Sequence, residues 1–499
     1  MNLQHFLYLL FIVLLNGCLI TLGVTSPVGV INMLVVGVTH FRDTFFVLIR
    51  ILFKPCVRMQ ADEDDDEALR NVLCVIPTYK EEAKEVTATL DSLIAQEETK
   101  LVHRRIVMVC DGYLRFGEIF SSMILIESFK YKTYKQKLNQ VSIFFCTYNG
   151  YDLILMLKHE NAGKKDSLIL VDNIFVDSTF TEIRQVLLKF YNITEFHFIF
   201  HTDADSVISP NTLRRHSKIM QTNPKISGVT GIVMVPEKYR FWSLFQGFQY
   251  YYGQLIRRLT ESMWGKPTCM PGCTNMVNIT HDCIIEASTR YQKLPSRTHI
   301  FQVKNRLQGT DRRYTNCVLQ HSKDVRLVTD GEARCFTVPP QTFKHFRSQR
   351  KRWTSNAITG YFFILTGTNI PWFVRVLAAI DLFRIHTCVT RLVSTALLMS
   401  HITDLQLVQI ILMVLVFGIP YFYFLFFAIK LKKYGLFLFT GSIVSKFVSP
   451  FITVYNFLYC VYYFTDISWG LSHGAVKGER VISVTEDYPV KDNDPETLV

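Results

Sequence analysis

The position of its uncharged apolar runs constrains the fold of this chain more than any other feature. Residues 3–24 carry no Lys, Arg, Asp or Glu, and residues 408–429 form a second run of this kind. About 20 such residues cross a bilayer as a helix, so we expect an integral membrane protein. A signal peptide is not favoured, because the first run is too long and lacks a basic start and a clear small-residue cleavage site.

Three further apolar stretches are interrupted by charged residues, and we expect them to be weaker membrane segments. They are residues 27–53, 386–400 and 435–464. Between the two apolar ends lies a region of mixed composition, long enough for one good-sized soluble domain. The predicted divisions are transmembrane helices (1–58), an acidic linker (59–70), a catalytic domain (71–340), interface helices (341–385), C-terminal transmembrane helices (386–466), a Ser-Trp-Gly motif (467–471) and a polar tail (472–499).

The net charge of +12 predicts an anionic partner, either membrane lipid or a phosphate-bearing substrate. Nucleic acid is not favoured, because no recognition motif accompanies the charge. The 12 Cys residues show no CxxC pair and no metal-ligand spacing. We therefore expect reduced thiols in a domain that faces the cytosol.

Polar side chains follow three apolar runs in the middle region. The run 72–76 leads to Thr78 and Glu81, the run 106–110 ends on Asp111, and the run 196–200 leads to Asp203 and Asp205. With a helical pattern between the first two runs, the order predicts an α/β fold with a parallel sheet. Ligands of such sheets bind beyond the carboxyl ends of the strands. Several acids at one edge indicate a site for Mg²⁺ or Mn²⁺, which prefer oxygen ligands.

Three further segments each allow a structural and a functional interpretation. The loop 160–167, with Lys164, resembles a phosphate loop but lacks the Walker A spacing, so it is either a solvated turn or a phosphate contact. Asp311 stands before two arginines. It either forms an ion pair with them at the surface or acts as a general base. The aromatic run 239–259 suits core packing or a helix at the membrane surface.

The segment QRKRW, residues 349–353, is the sharpest motif. In a helix, Gln349, Arg352 and Trp353 share one face, and Arg350 points about 100° away from Gln349. A Trp beside a cationic cluster is an interfacial anchor in many membrane proteins. Arginines also grip diphosphates bidentately, and the other motifs favour this second interpretation.

The order of these motifs resembles the processive, membrane-embedded family 2 glycosyltransferases, and among them the chitin synthases. The resemblance rests on Asp111, the Asp203-Ala-Asp205 stretch, FQGFQY (245–250), CMPGC (269–273), TDRR (310–313), QRKRW (349–353) and SWG (468–470). It implies a cytosolic GT-A domain inserted between transmembrane and amphipathic interface helices, in a plasma-membrane protein. It also implies a UDP-GlcNAc donor, Mg²⁺ or Mn²⁺, and a growing chitin polymer that leaves through a transmembrane channel.

The resemblance implies a role for each matching residue. Asp311 would be the base, and Asp205 with Asp203 would ligate the metal. Cys273, Gln349 and Trp353 would bind the acceptor. The UDP-binding residues would be Thr78, Tyr79, Glu81, Asp111, Lys164, Asp203, Arg350 and Arg352.

Other functions remain open at the level of the sequence. A hyaluronan synthase would use UDP-glucuronate as a second donor, and Thr310 stands where chitin synthases usually have Glu. A transporter or channel with a nucleotide-binding domain is an alternative of another class, and a non-processive transferase making a lipid-linked sugar is a third. The sequence leaves the oligomeric state open.

Overall fold

The computed structural model describes residues 3–26, 30–53, 70–96, 102–177, 179–295 and 299–466. Most of the predicted acidic linker (59–70), the Ser-Trp-Gly motif (467–471) and the polar tail (472–499) lie outside the described residues. The predicted α/β region between two helical regions is confirmed.

One mixed sheet contains the ten strands of the described residues. In spatial order they run β3-β4-β5-β2-β1-β6-β9-β8-β10-β7. Their bounds are β1 Arg70–Thr78, β2 Val102–Asp111, β3 Ser122–Lys132, β4 Leu138–Tyr148, β5 Tyr151–Lys158, β6 Phe198–His201, β7 Ser206–Ile208, β8 Ile226–Met234, β9 Asn275–Asn278 and β10 Arg326–Thr337.

The centre of the sheet is parallel, as the apolar runs predict. Strand β1 pairs in parallel with β2 and with β6, and Thr78 lies opposite Cys110. The three strands therefore end at one edge. Alternate β1 residues enter two different core clusters, Leu73 and Val75 in one and Cys74 in the other. Both faces of the sheet are covered, which explains why these strands are apolar without alternation.

The outer part of the sheet differs from a purely parallel one. Strands β3, β4 and β5 pair antiparallel, and β4 is joined to β5 through Asn149 and Gly150, both with positive φ (48° and 75°). An Asn-Gly pair in this conformation makes the tight turn of a hairpin, which forces the two strands to run in opposite directions.

Helices cover both faces of the sheet and form the two ends of the chain. Their bounds are α1 Leu3–Thr25, α2 Val30–Leu52, α3 Ala83–Ile94, α4 Lys164–Phe175, α5 Thr181–Phe190, α6 Thr212–Thr222, α7 Phe241–Tyr252, a π-helical turn Gly253–Arg258, α8 Leu259–Met263, α9 Asp282–Gln292, α10 Ile300–Gln308, α11 Asp311–Leu319, α12 Phe343–Thr366, α13 Trp372–His386, α14 Cys388–Ser400, α15 Leu407–Lys430 and α16 Lys433–Tyr462.

Among the described residues, three helices are long and apolar enough to cross a membrane: α1, α15 and α16. This agrees with the two strongest predicted runs and with the stretch 435–464. Helix α14 is apolar but shorter. Helix α2 is not among the candidate spans, and it carries Arg42, Asp43 and Arg50 in its second half.

Two glycines bring α7 close to α16. A Cβ added to Gly247 would lie 2.6 Å from a ring carbon of Phe437, and one added to Gly441 would lie 2.4 Å from the carbonyl oxygen of Leu244. On the same helix Phe245 is fully buried, whereas Phe241 at its start is exposed. Core packing is thus the correct interpretation for the face that carries Phe245 and Gly247. Through this face α7 holds the sheet domain against α16, one of the candidate membrane helices.

Candidate active site

The carboxyl ends of β1, β2 and β6 open into one large cavity of about 760 Å³. Every site residue predicted from the sequence lines this cavity, so the fold brings together motifs that are far apart in the chain. They are Thr78, Tyr79, Glu81, Asp111, Lys164, Asp203, Asp205, Cys273, Asp311, Gln349, Arg350, Arg352 and Trp353.

The end of β1 presents a polar turn to the cavity. The Thr78 hydroxyl donates to the Cys110 sulfur at 3.0 Å, and a Glu81 carboxylate oxygen accepts from the Tyr79 backbone N–H at 2.6 Å. Burial raises the pKa of Glu81, and the nearby Asp203 carboxylate raises it further. The Tyr79 ring also packs edge-on against Tyr113, with centroids 5.6 Å apart.

Asp111 uses its carboxylate to hold a loop. Its two oxygens accept from the backbone N–H groups of Ala162 (2.9 Å) and Gly163 (2.7 Å). The buried Lys158 ammonium lies 2.7 Å from one of them. This loop leads directly into α4, so Asp111 fixes the position of Lys164 at the first turn of that helix. Lys158 was not predicted as part of the site. A Lys at the end of an apolar strand is, however, a pattern that could have indicated a buried charged contact.

Asp203 and Asp205 follow β6 at the centre of the edge. The Lys164 ammonium forms an ion pair with Asp203. Burial raises the pKa of Asp205 to about 7, and the carboxylates of Asp203 and Glu81 add to the shift. Asp205 therefore lies in an excess of negative charge that a divalent cation would relieve.

The residues at this edge fit a cation that is shared with a ligand. No three His, Cys, Asp or Glu side chains of the described residues converge as a complete metal site. Mg²⁺ commonly takes one or two carboxylates and completes its shell with phosphate oxygens and water. Asp203 and Asp205 match that partial set, and Mn²⁺ suits the same oxygen ligands.

Asp311 is held by the loop that contains CMPGC. The Gly272 backbone N–H donates to one Asp311 carboxylate oxygen at 3.0 Å. A Cβ at position 272 would lie 2.8 Å from the other oxygen, so glycine permits this contact. The Met270 backbone N–H donates to the Thr315 hydroxyl at 2.9 Å, which ties the same loop to α11.

The arginines that follow Asp311 do not form the surface ion pair that one interpretation predicted. Arg312 lies over the Tyr361 ring at 5.3 Å, and Arg313 donates to Asn305 at 3.1 Å. Neither pairs with Asp311 among the ion pairs of the described residues. The charge of Asp311 instead acts on Arg352. Burial lowers the pKa of Arg352 below its ordinary value, and the Asp311 carboxylate offsets part of that shift.

The QRKRW segment lies in α12, and four of its side chains face the cavity. Helix geometry directs Arg350 about 100° away from Gln349, but its long side chain lines the same cavity and stacks over Trp353 at 4.6 Å. Its Nε and Nη2 atoms are buried and have no hydrogen-bond partner among the described residues. Lys351 points away and pairs with Asp466. Trp353 is 37% exposed and packs against Tyr250 with centroids 5.6 Å apart.

Cys273 lies at the cavity wall beside Cys335. The Cys335 thiol donates to the Cys273 carbonyl oxygen at 3.3 Å. The hydrogen bond with Cys335 and burial raise the pKa of the Cys273 thiol. The residue is therefore a small, uncharged part of the wall.

The far end of the cavity was not predicted as part of a site. Sequence reasoning noted Arg257 and Arg258 as the end of a helix at the membrane surface, but both line the cavity. They do so together with Glu261, Arg312 and Tyr361. Arg258 pairs locally with Glu261, but the partner of Arg257 is the distant Asp43, so no local pattern marks Arg257.

Comparison with known proteins shows similarity over most of the chain. The family model for Chitin synthase matches residues 121–496. Chitin synthase 8 of Gibberella zeae is 23% identical over 93% of this chain and 77% of the relative. Chitin synthase 7 of Mycosarcoma maydis is 29% identical over 40% of this chain, and Chitin synthase C of Emericella nidulans is 23% identical over 81%. The chain spans only 17% and 39% of the length of these two relatives.

Among solved structures, the mannosyltransferase PcManGT from Pyrobaculum calidifontis, in complex with GDP-Man and Mn²⁺, is similar at 13% identity with a TM-score of 0.42. The likeness covers 82% of this chain and 98% of that chain. At this level it does not extend to individual residues of a site.

Proposed function

Because this chain belongs to the chitin synthase family of glycosyltransferases, we propose that it polymerises N-acetylglucosamine from UDP-GlcNAc into β-1,4-linked chitin. The enzyme is processive and inverting, and it exports the polymer through a channel among its own transmembrane helices. The catalytic domain faces the cytosol, where the donor is made, and the membrane is the plasma membrane. The supporting observation is that strand-end carboxylates, Asp311 and QRKRW line one cavity.

The donor binds at the ends of β1, β2 and β6. Thr78, Tyr79 and Glu81 surround the uridine, and Asp111 shapes that pocket by holding the loop before Lys164. Lys164, Arg350 and Arg352 face the diphosphate. Asp203 and Asp205 would hold a divalent cation, which would supply positive charge to the diphosphate and so stabilise UDP as a leaving group.

Asp311 removes the proton from the acceptor hydroxyl. Gly272 donates to one carboxylate oxygen, which fixes the carboxylate while the other oxygen accepts the proton. The acceptor sugar rests on the exposed face of Trp353, with Gln349 and Cys273 beside it. The new bond forms opposite the leaving diphosphate, so a single displacement inverts the anomeric carbon and gives a β-linkage.

The test uses the purified full-length protein in detergent with Mg²⁺ or Mn²⁺ and UDP-GlcNAc as the sole donor. We expect UDP release together with insoluble, chitinase-sensitive polymer. Asp311→Asn should abolish both while UDP binding, measured by calorimetry, stays within about twofold, because an amide keeps the shape but cannot act as a base.

Three results would overturn the proposal in distinguishable ways. Polymer that forms only after UDP-glucuronate is added identifies a hyaluronan synthase. A short glycolipid as the sole product identifies a non-processive transferase. Substantial polymer from Asp311→Asn would agree with the proposed polymerase activity but would contradict the role of Asp311 as the base.

A further inference from the structure

Buried charges join three distant segments at the far end of the cavity. We call Arg42, Asp43, Arg257, Glu261 and Asp381 the ionic junction. Arg42 donates to Glu261 at 2.9 Å and also pairs with Asp381, and Arg257 lies 3.1 Å from Asp43. Arg42 is 1% exposed and Asp381 is fully buried.

The ionic junction lies between the catalytic cavity and the helical bundle. Arg257 and Glu261 line the cavity, whereas Arg42 and Asp43 belong to α2 and Asp381 belongs to α13. Helix α2 packs against α13, α14 and α15. Arg257 and Glu261 line the same cavity as Trp353, so a sugar chain that extends from Trp353 toward α2 and α13 would contact the ionic junction.

Stability alone is a poor explanation for such a cluster. Taking charges out of water costs several kcal/mol per ion, and apolar residues of similar volume often stabilise a fold equally well or better. A switch between two arrangements is among the better attested uses of buried charge.

The local backbone also departs from regular structure at this point. Arg257 lies in the π-helical turn Gly253–Arg258, and such turns are frequent at functional sites. In the same turn, the Gln254 side-chain oxygen is buried without a partner among the described residues. The turn therefore places a buried polar side-chain atom next to the cavity that Gln254 lines.

We propose that the ionic junction is a gate for the growing chain, an inference that rests on the proposed function. In the closed state the ion pairs hold α2 and α13 against the wall of the cavity. Sugar hydroxyl and amide groups can donate to Glu261 and accept from Arg257, so an arriving chain exchanges ion-pair contacts for its own hydrogen bonds.

The gate affects initiation more than elongation. The first few sugars must open the ionic junction, and a chain that fails to do so is released as a short soluble oligosaccharide. A chain that has passed keeps the junction open by occupying it. The ratio of short soluble products to long polymer therefore increases with the stability of the closed state.

The test compares two double variants in the full-length enzyme. Arg42→Gln/Asp381→Asn removes one positive and one negative charge from the ionic junction, so its net charge is unchanged. Glu261 keeps its contact with Arg258, and Arg257 keeps its contact with Asp43. The matched control, Arg215→Gln/Asp330→Asn, removes a bidentate buried pair that does not line the cavity. UDP release, product lengths and thermal stability are measured for both.

We expect the junction variant to release roughly threefold to tenfold fewer short oligosaccharides per polymer chain, the change that loss of one or two net contacts from the closed state would give. The control should keep the wild-type ratio. An unchanged ratio in the junction variant, or the same change in the control, overturns the gate. If the junction variant does not fold, Glu261→Gln replaces it, because glutamine keeps the shape of the side chain. The same decrease in short oligosaccharides per polymer chain is expected, and an unchanged ratio overturns the gate.

Failure of the proposed function is a separate result. It appears in the wild-type protein as absence of polymer from UDP-GlcNAc, before any variant is compared.

Discussion

The contact between Gly272 and Asp311 allows a sharp test of the catalytic geometry. In Gly272→Ala the new Cβ would lie 2.8 Å from one carboxylate oxygen, where an ordinary contact begins at 3.4 Å. The carboxylate must therefore retreat by about 0.6 Å, the difference between these distances. The backbone at position 272 is not in the left-handed region, so the strain comes from this contact and not from φ.

A displacement of this size should lower the rate without changing donor binding. Misplacement by about 1 Å costs on the order of 10²-fold in rate, so we expect kcat to fall roughly tenfold to twentyfold. The KM for UDP-GlcNAc should stay within about twofold, because Asp311 acts on the acceptor and not on the uridine.

The assay is initial-rate UDP release at several donor concentrations. Gly17→Ala is the control, because an added Cβ there meets no atom within 4 Å. A Gly272→Ala enzyme with wild-type melting temperature and kcat within twofold of wild type would contradict the claim that Asp311 must hold this position.

Two further predictions concern charges at the site. The pKa of Asp205 is raised to about 7 by burial and by Asp203, and cation binding requires the ionised form. We therefore expect the apparent Mn²⁺ affinity, measured by electron paramagnetic resonance of free Mn²⁺, to fall about tenfold per pH unit below 7. The same raised pKa means that the metal-free protein loses stability as pH rises from about 4 to 7. A pH-independent affinity would refute this reasoning. Arg350→Met should weaken UDP binding roughly tenfold or more, because a charged hydrogen-bonding partner is lost. Lys351→Met should leave UDP affinity unchanged and lower the melting temperature, since Lys351 pairs with Asp466. Equal losses of UDP affinity in both variants would contradict the assignment.

The sequence predicted the donor edge of the site because local signals mark it. Apolar runs that stop on Thr78, Asp111 and Asp203 identify strand ends, and parallel strands place their carboxyl ends together. The hairpin of β4 and β5 was also readable from its Asn-Gly turn, but no prediction was made for these two strands from the sequence. Arg350 lines the same cavity as Gln349 although adjacent helix positions point about 100° apart, because helix geometry gives the direction of a side chain at its Cα, not where a long flexible side chain ends.

The far end of the cavity could not be predicted, because its contacts are long-range. Arg42 meets Glu261 and Asp381 across separations of 219 and 339 residues. No periodicity or spacing in the sequence encodes such a pair. In the sequence, Arg257 only stands near the end of the aromatic run 239–259, which suits core packing or a membrane-surface helix, and nothing there points to its partner Asp43 on α2.

The charged residues of α2 connect the catalytic domain to the helical bundle. Arg42 and Asp43 would be costly in a helix that faces lipid, and α2, which carries them, is not among the candidate membrane spans. Both are buried against the catalytic domain and α13 instead of lipid. The residues that weaken α2 as a membrane span are therefore the ones that bind it to the wall of the cavity. Because Arg257 of the π-helical turn contacts Asp43 of α2, a movement of this turn would act directly on α2 and on the helices that pack against it.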